Sequence, residues 1–115
     1  MAEQQWEYCE LRSGWDEYHT KGLLGRGEEG YGYNCYILYY GVNGEVIKQQ
    51  ITTSKKPQTI DPFGKTTGLL GGAGWELVSV QYKVADATSE GNFKIAYFKR
   101  PVVMDRPVDE PKLAL

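Results

Sequence analysis

Residues 33–52 read YNCYILYYGVNGEVIKQQIT, two segments rich in aromatic and β-branched residues around Asn43-Gly44. Such residues favour strands. An Asn-Gly pair between two strand-like segments indicates a tight hairpin turn, because both central residues of a type I′ turn need positive φ. The stretch therefore predicts a β-hairpin with strands at 33–41 and 45–52.

Three further segments have strand character, at residues 6–12, 75–84 and 93–100. Alternation of side chains with a period of two is typical of strands, whose successive residues point to opposite faces. In 75–84 this pattern puts Val78, Val80 and Tyr82 on one face and Leu77 on the other. Ser13 and Gly14 are expected to end the first strand. The chain is thus predicted to form an antiparallel sheet of four to five strands.

One short helix is predicted between residues 61 and 73. Asp61 is a favoured N-cap residue, and Pro62 suits the first helical position. Gly71 and Gly72 are expected as C-terminal caps. The apolar contacts of the helix are expected from Leu69, Leu70 and Ala73. The predicted fold is therefore α+β, an antiparallel sheet with one short helix packed on a face.

The chain divides into a predicted domain and a tail. Residues 1–101 are expected to form a single α+β domain, in which four glycines between 25 and 32 predict a glycine-rich loop. Residues 102–115 contain two prolines among alternating charges and are expected to be an extended or disordered C-terminal tail. A strap over a neighbouring subunit is the other interpretation of this tail.

Composition narrows the classes of function. The 115 residues carry a formal net charge of -2, so the chain lacks the basic character of most nucleic-acid-binding proteins. Its two cysteines, Cys9 and Cys35, are expected to be reduced and buried; the alternative is a bridge between adjacent strands, which would imply an oxidising compartment. The N-terminus has no signal-peptide pattern, and no apolar run approaches the ~20 residues of a membrane span. A cytoplasmic location without membrane association is therefore expected.

Three patterns resemble catalytic or ligand-binding motifs, but the surrounding sequence does not fit any of them. The glycines at 25, 27 and 30 match a dinucleotide fingerprint, but they precede a strand and adjoin two glutamates. Gly64-Lys65-Thr66 lacks the earlier glycine of a phosphate-binding loop. His19 is the only histidine, and no recognised nucleophile spacing accompanies it. We therefore predict no catalytic, cofactor-binding or metal-binding residues, no cofactor, and no enzymatic activity.

Three separated segments resemble one known family. Residues 69–80, LLGGAGWELVSV, are similar to the GWELVSV segment of the DUF4177 domain, a small domain family of unknown function. Trp6-Glu7-Tyr8 resembles the opening strand of that family, and Phe98-Lys99-Arg100-Pro101 resembles its last strand. The resemblance implies a compact sheet-plus-helix domain and no established catalytic residues.

The last predicted strand is apolar on both faces, which suggests that a partner subunit covers it. Tyrosine is also enriched at protein interfaces. The leading hypothesis is a small non-enzymatic interaction or assembly domain, self-associating or an accessory subunit of a larger complex. Its candidate interaction surface consists of Tyr36, Tyr39, Tyr40, Phe93, Ile95 and Tyr97.

Two other functions compete with this hypothesis. Aromatic sheet faces bind single-stranded nucleic acid in several protein modules. Positive charge near the tyrosines would come from Lys83, Lys94, Lys99 and Arg100. The third hypothesis is a small-ligand or enzymatic pocket near residues 14–32, lined by Trp15 and His19.

Overall fold

A computed structural model describes residues 3–19, 29–53, 58–83, 92–103 and 111–115. Its elements in chain order are β1 (Trp6–His19), β2 (Glu29–Tyr40), β3 (Val46–Gln50), α1 (Phe63–Gly72), β4 (Glu76–Lys83) and β5 (Phe93–Pro101). The five strands form one antiparallel sheet in the order β3-β2-β1-β5-β4. With α1 packed on one side, this arrangement confirms the predicted α+β fold.

The two faces of the sheet have different surroundings. We call the face that packs against α1 the helix face and the opposite one the open face. The hydrophobic core lies between the helix face and α1, and the long alternating strands supply most of it. Its buried members are Cys9, Leu11, Cys35, Ile37, Tyr39, Leu70, Trp75, Ala96 and Phe98.

The central hairpin is confirmed, but its turn differs from the predicted one. The N–H of Gly44 donates to the carbonyl of Gly41 at 3.1 Å, and the N–H of Gly41 donates to the carbonyl of Glu45 at 2.9 Å. Gly44 has φ +85°. A turn closed at Gly41 and followed by one residue with positive φ is the three-residue hairpin loop, not the two-residue one.

β1 is longer than predicted, because it continues past Ser13 and Gly14 to His19. Gly14 does not break the strand: a Cβ there would lie 2.8 Å from the Cβ of Phe93 on β5. This glycine therefore permits a close approach between strands. Residues 29–32, predicted as part of the glycine-rich loop, belong instead to β2 and pair with β1. Residues 25–28 of that loop lie outside the described ranges.

Helix α1 begins one residue later than predicted: Pro62 is its N-cap residue, in place of Asp61, and Phe63 is its first helical residue. The Oδ1 atom of Asp61 accepts the N–H of Phe63 at 3.0 Å. The helix ends differently: Gly71 and Gly72 lie in its last turn, whereas Gly74 has φ +92°. The N–H of Trp75 donates to the carbonyl of Leu70, and that of Gly74 to Gly71, which is the bond pattern of a Schellman motif. Gly74 is therefore the residue that reverses the chain into β4.

One of the three predicted apolar contacts of α1 is observed. Leu70 is fully buried, together with Thr66 one turn earlier. Leu69 is 41% exposed, and Ala73 is also exposed. Residues 66 and 70 lie on one side of a helix because they are four positions apart, whereas Leu69 is rotated away from that side.

The chain ends against the sheet. Residues 111–115 have no regular secondary structure, and Leu113 packs against the core. Residues 104–110 of the predicted tail lie outside the part that the structure describes. Within the described ranges, no helix has the length and apolar character needed to cross a membrane.

Candidate functional site

The open face carries most of the predicted interaction residues. Strand register places Tyr36, Tyr40, Phe93, Ile95 and Tyr97 on this face. Four of them are partly exposed, but Ile95 is only 3% exposed. Ile95 therefore serves as an apolar centre for the open face more than as a contact point for a partner.

Tyr39 does not belong to this surface. It is 2% exposed and lies in the core on the helix face. Adjacent residues of a strand point to opposite faces, so Tyr39 and Tyr40 cannot share one. Burial is the main cause that raises the pKa of Tyr39 to about 12. Its hydroxyl donates to the Oε1 of Gln49 at 2.7 Å.

Charged groups are interleaved with the rings of the open face. The Nε of Arg12 donates to the Oε2 of Glu10 at 3.0 Å. The ammonium of Lys48 lies 4.5 Å from the ring centroid of Tyr36, and that of Lys99 lies 4.4 Å from the ring centroid of Trp6. The open face is thus an aromatic surface with cations stacked on two of its rings.

β4 presents a different kind of surface. It is an edge strand of the sheet, and all eight of its residues are exposed. The apolar side chains Leu77, Val78, Val80 and Tyr82 are 47%, 56%, 51% and 59% exposed. The helix covers only part of the sheet, so the edge strand keeps an apolar surface in contact with solvent.

A register irregularity changes the predicted faces of β4. Leu77 pairs with Phe98, whereas Val80 pairs with Ala96, and the register shifts between Leu77 and Ser79. The prediction that Leu77 and Val80 lie on opposite faces is therefore wrong. Both lie on the helix face with Tyr82, because one extra residue at a bulge reverses the alternation after it. Leu77, Val80 and Tyr82 consequently form one apolar strip on the helix face.

A buried ion pair joins three distant segments on the helix face. The Nε of Arg100 on β5 donates to the Oε1 of Glu7 on β1. The guanidinium carbon lies 4.2 Å from the ring centroid of Trp75, and Nη1 donates to the carbonyl of Ala73 at 3.2 Å. Arg100 is 7% exposed, and burial is the main cause that lowers its pKa. This Glu7–Arg100–Trp75 cluster fastens the neighbouring strands β1 and β5 to the turn after α1.

The two cysteines are buried and unbonded, as predicted. Cys9 lies opposite Tyr39 on β2, whereas Cys35 lies opposite Ser13 on β1, so the two thiols are several residues apart along the ladder. Burial raises the pKa of Cys9 to about 12 and that of Cys35 to about 11. A thiol with such a pKa is protonated at neutral pH and reacts slowly.

The third hypothesis places a pocket near residues 14–32, but the described residues of this region belong to the paired strands β1 and β2. Trp15 packs edge-on against Tyr33 with their centroids 5.1 Å apart, and His19 is the last residue of β1. Residues 20–28 are outside the described ranges. Where the chain is described, no three His, Cys, Asp or Glu residues are grouped as metal ligands would be.

No protein-family model matches the chain, and comparisons with curated proteins and with solved structures give no match either.

Proposed function

We propose that this protein is a small non-enzymatic interaction domain that self-associates through the edge strand β4. The observation that carries the proposal is the exposure of all eight β4 residues, including an apolar strip on the helix face. An edge strand also has one row of backbone groups that its own sheet does not pair. A second copy of the chain can cover the apolar strip and also pair with these backbone groups.

The sequence of β4 favours pairing along its length. Natural edge strands are usually protected by charged residues or proline, but Leu77–Tyr82 contains neither. Glu76 and Lys83 restrict the charges to the two ends of the strand. In an antiparallel pair of β4 strands centred on Gln81, Val80 lies opposite the partner's Tyr82, and the apolar strips of both copies meet.

The resemblance to the DUF4177 family is compatible with this proposal. Its three matching segments supply Glu7, Trp75 and Arg100, which form the buried cluster described above. Their structural role accounts for the motif without a catalytic function. The same segment 69–80 also contains the first half of β4.

Val80→Lys tests the proposal. A lysine in the centre of the paired strands places a charge in the contact, so the dimer dissociation constant should rise at least about tenfold. Val42→Lys is the matched control: Val42 is 50% exposed and Val80 is 51% exposed, but Val42 lies in the hairpin turn. Sedimentation velocity over a concentration series measures both. A wild-type chain that is monomeric throughout the series would overturn the proposal.

Single-stranded nucleic-acid binding is the second candidate, and the tyrosines and lysines of the open face favour it. Fluorescence titration with oligonucleotides at two salt concentrations tests it, because phosphate contacts weaken with salt. Tyr97→Ala should weaken binding, whereas Tyr82→Ala on the helix face should not. Absence of binding at low salt removes this candidate.

A further inference from the structure

The C-terminal segment, residues 111–115, is held by hydrogen bonds to the backbone of Leu113. The side-chain amide of Gln49 on β3 donates from Nε2 to the carbonyl of Leu113 at 2.9 Å. Its Oε1 accepts the N–H of Leu113, also at 2.9 Å. The hydroxyl of Tyr39 accepts the same N–H at 3.1 Å. One side chain thus satisfies both backbone groups of Leu113, in the way that a neighbouring strand would.

Within the described residues 111–115, Leu113 is the one that packs against the hydrophobic core. Pro111 is also half-buried, whereas Lys112 and Ala114 are exposed and Leu115 is 75% exposed. The site therefore recognises the backbone N–H and carbonyl of one residue that carries a branched aliphatic side chain. We define the tail site by Tyr39 and Gln49, the two residues that bind the backbone of Leu113.

We propose that the tail site is a peptide-binding site that exchanges its own C-terminal segment for that of a second copy. The ligand that fits the site is present on every copy of the chain. An exchanged segment makes the same contacts in a partner as at home, so the exchange has little enthalpic cost. The proposal does not depend on pairing through β4, because β3 and β4 are opposite edges of the sheet.

The small contact makes exchange feasible. Segments with few buried contacts open locally at much lower free energy than the strands of a core. The seven residues at 104–110 connect β5 and its following residues to the bound segment. Seven residues span at most about 25 Å when extended, which limits exchange to copies in close contact.

A complementation experiment on the full-length chain tests the proposal. Leu113→Asp keeps the tail site but carries a tail that an apolar site rejects. Gln49→Leu keeps the tail but removes both amide contacts. Both variants also carry Val80→Lys, so that β4 pairing does not contribute. A labelled mixture of the two should associate at least about tenfold more tightly than either variant with itself.

Gln50→Leu in place of Gln49→Leu is the matched control. Gln50 is the next residue of β3, and its amide donates to the Oδ1 of Asn34 instead of to the tail. This control chain keeps both its tail and its tail site, so its mixture with Leu113→Asp should associate more weakly. Equal association of the two mixtures would overturn the proposal.

Hydrogen exchange on the unmodified chain decides the matter if a variant does not fold. The amide of Leu113 should exchange at least about a hundredfold faster than that of Ile37 in the centre of β2. Exchange of both amides at one common rate would mean that the tail opens only on global unfolding. That result would also overturn the proposal.

Discussion

Glu7→Leu is expected to lower the free energy of unfolding by about 3–5 kcal/mol, because it leaves the buried charge of Arg100 without its carboxylate. The side chains of Arg100 and Glu7 are only 8% and 15% exposed, so water cannot replace the lost partner. Stacking on Trp75 and one bond to the carbonyl of Ala73 remain, but neither neutralises the guanidinium. Urea unfolding followed by circular dichroism measures the loss.

Glu10→Leu is the matched control for this substitution. Glu10 is also on β1 and also pairs with an arginine, but the side chain of Arg12 is 35% exposed. Water screens this pair, so the expected cost is below about 1 kcal/mol. Equal costs for the two substitutions would contradict the assignment of Glu7 as the partner of a buried charge.

The double substitution Glu7→Leu with Arg100→Met separates the charge from the shape of the cluster. Replacing both members of a buried ion pair by apolar residues of similar size removes the desolvation cost together with the attraction. We therefore expect the double variant to recover most of the stability that Glu7→Leu loses. A double variant as unstable as the single one would show that the shape of the glutamate, and not charge, is what matters at this position.

The sequence predicted those elements that are specified by residues close together in the chain. The hairpin of β2 and β3 follows from aromatic and β-branched residues around Asn43-Gly44, and the pair Asp61-Pro62 locates the start of α1 to within one residue. The length of β1 could not be predicted this way. Gly14 is unfavourable in an isolated strand, and only its contact with Phe93 on another strand explains it.

The candidate surfaces also depend in part on contacts between strands, which the local sequence does not predict. Alternation alone separates Tyr39 from Tyr40 and could have excluded Tyr39 from the open face. The apolar strip of β4 needed more, because the bulge between Leu77 and Ser79 depends on pairing with β5. The pairs Glu7–Arg100 and Gln49–Leu113 join residues far apart in the chain, so no spacing in the sequence predicts them.

Asp61→Ala is the second substitution with a large expected effect. The carboxylate of Asp61 accepts the hydroxyl of Ser13 at 2.6 Å, the N–H of Phe63 at 3.0 Å and the ammonium of Lys94 at 3.1 Å. Ser13 is 2% exposed, so its hydroxyl would lose its partner in a buried position. Loss of the bond to the Phe63 N–H and of the bond to Ser13 should together lower the free energy of unfolding by about 2–4 kcal/mol at neutral pH.

The pH dependence of this effect follows from the pKa of Asp61. Burial acts to raise that pKa, but the hydrogen bonds from Ser13, Phe63 and Lys94 outweigh it and leave the pKa lowered. A carboxyl group whose pKa is lower when folded stabilises the protein above its unfolded pKa and loses that contribution as the pH falls through the folded value. The advantage of wild type over Asp61→Ala should therefore be complete at pH 7 and shrink below about pH 4.

Asp61→Asn distinguishes the charge of Asp61 from its geometry. The amide keeps an oxygen that can accept the Ser13 hydroxyl and the Phe63 N–H, but it has no charge to pair with Lys94. Because Lys94 is 42% exposed, the lost pairing should cost less than about 1 kcal/mol. Urea unfolding of all three chains at pH 7 and at acid pH would test this. If Asp61→Asn were as unstable as Asp61→Ala at neutral pH, the ionic contact with Lys94, not the hydrogen bonds from Ser13 and Phe63, would be what fastens α1 to the sheet.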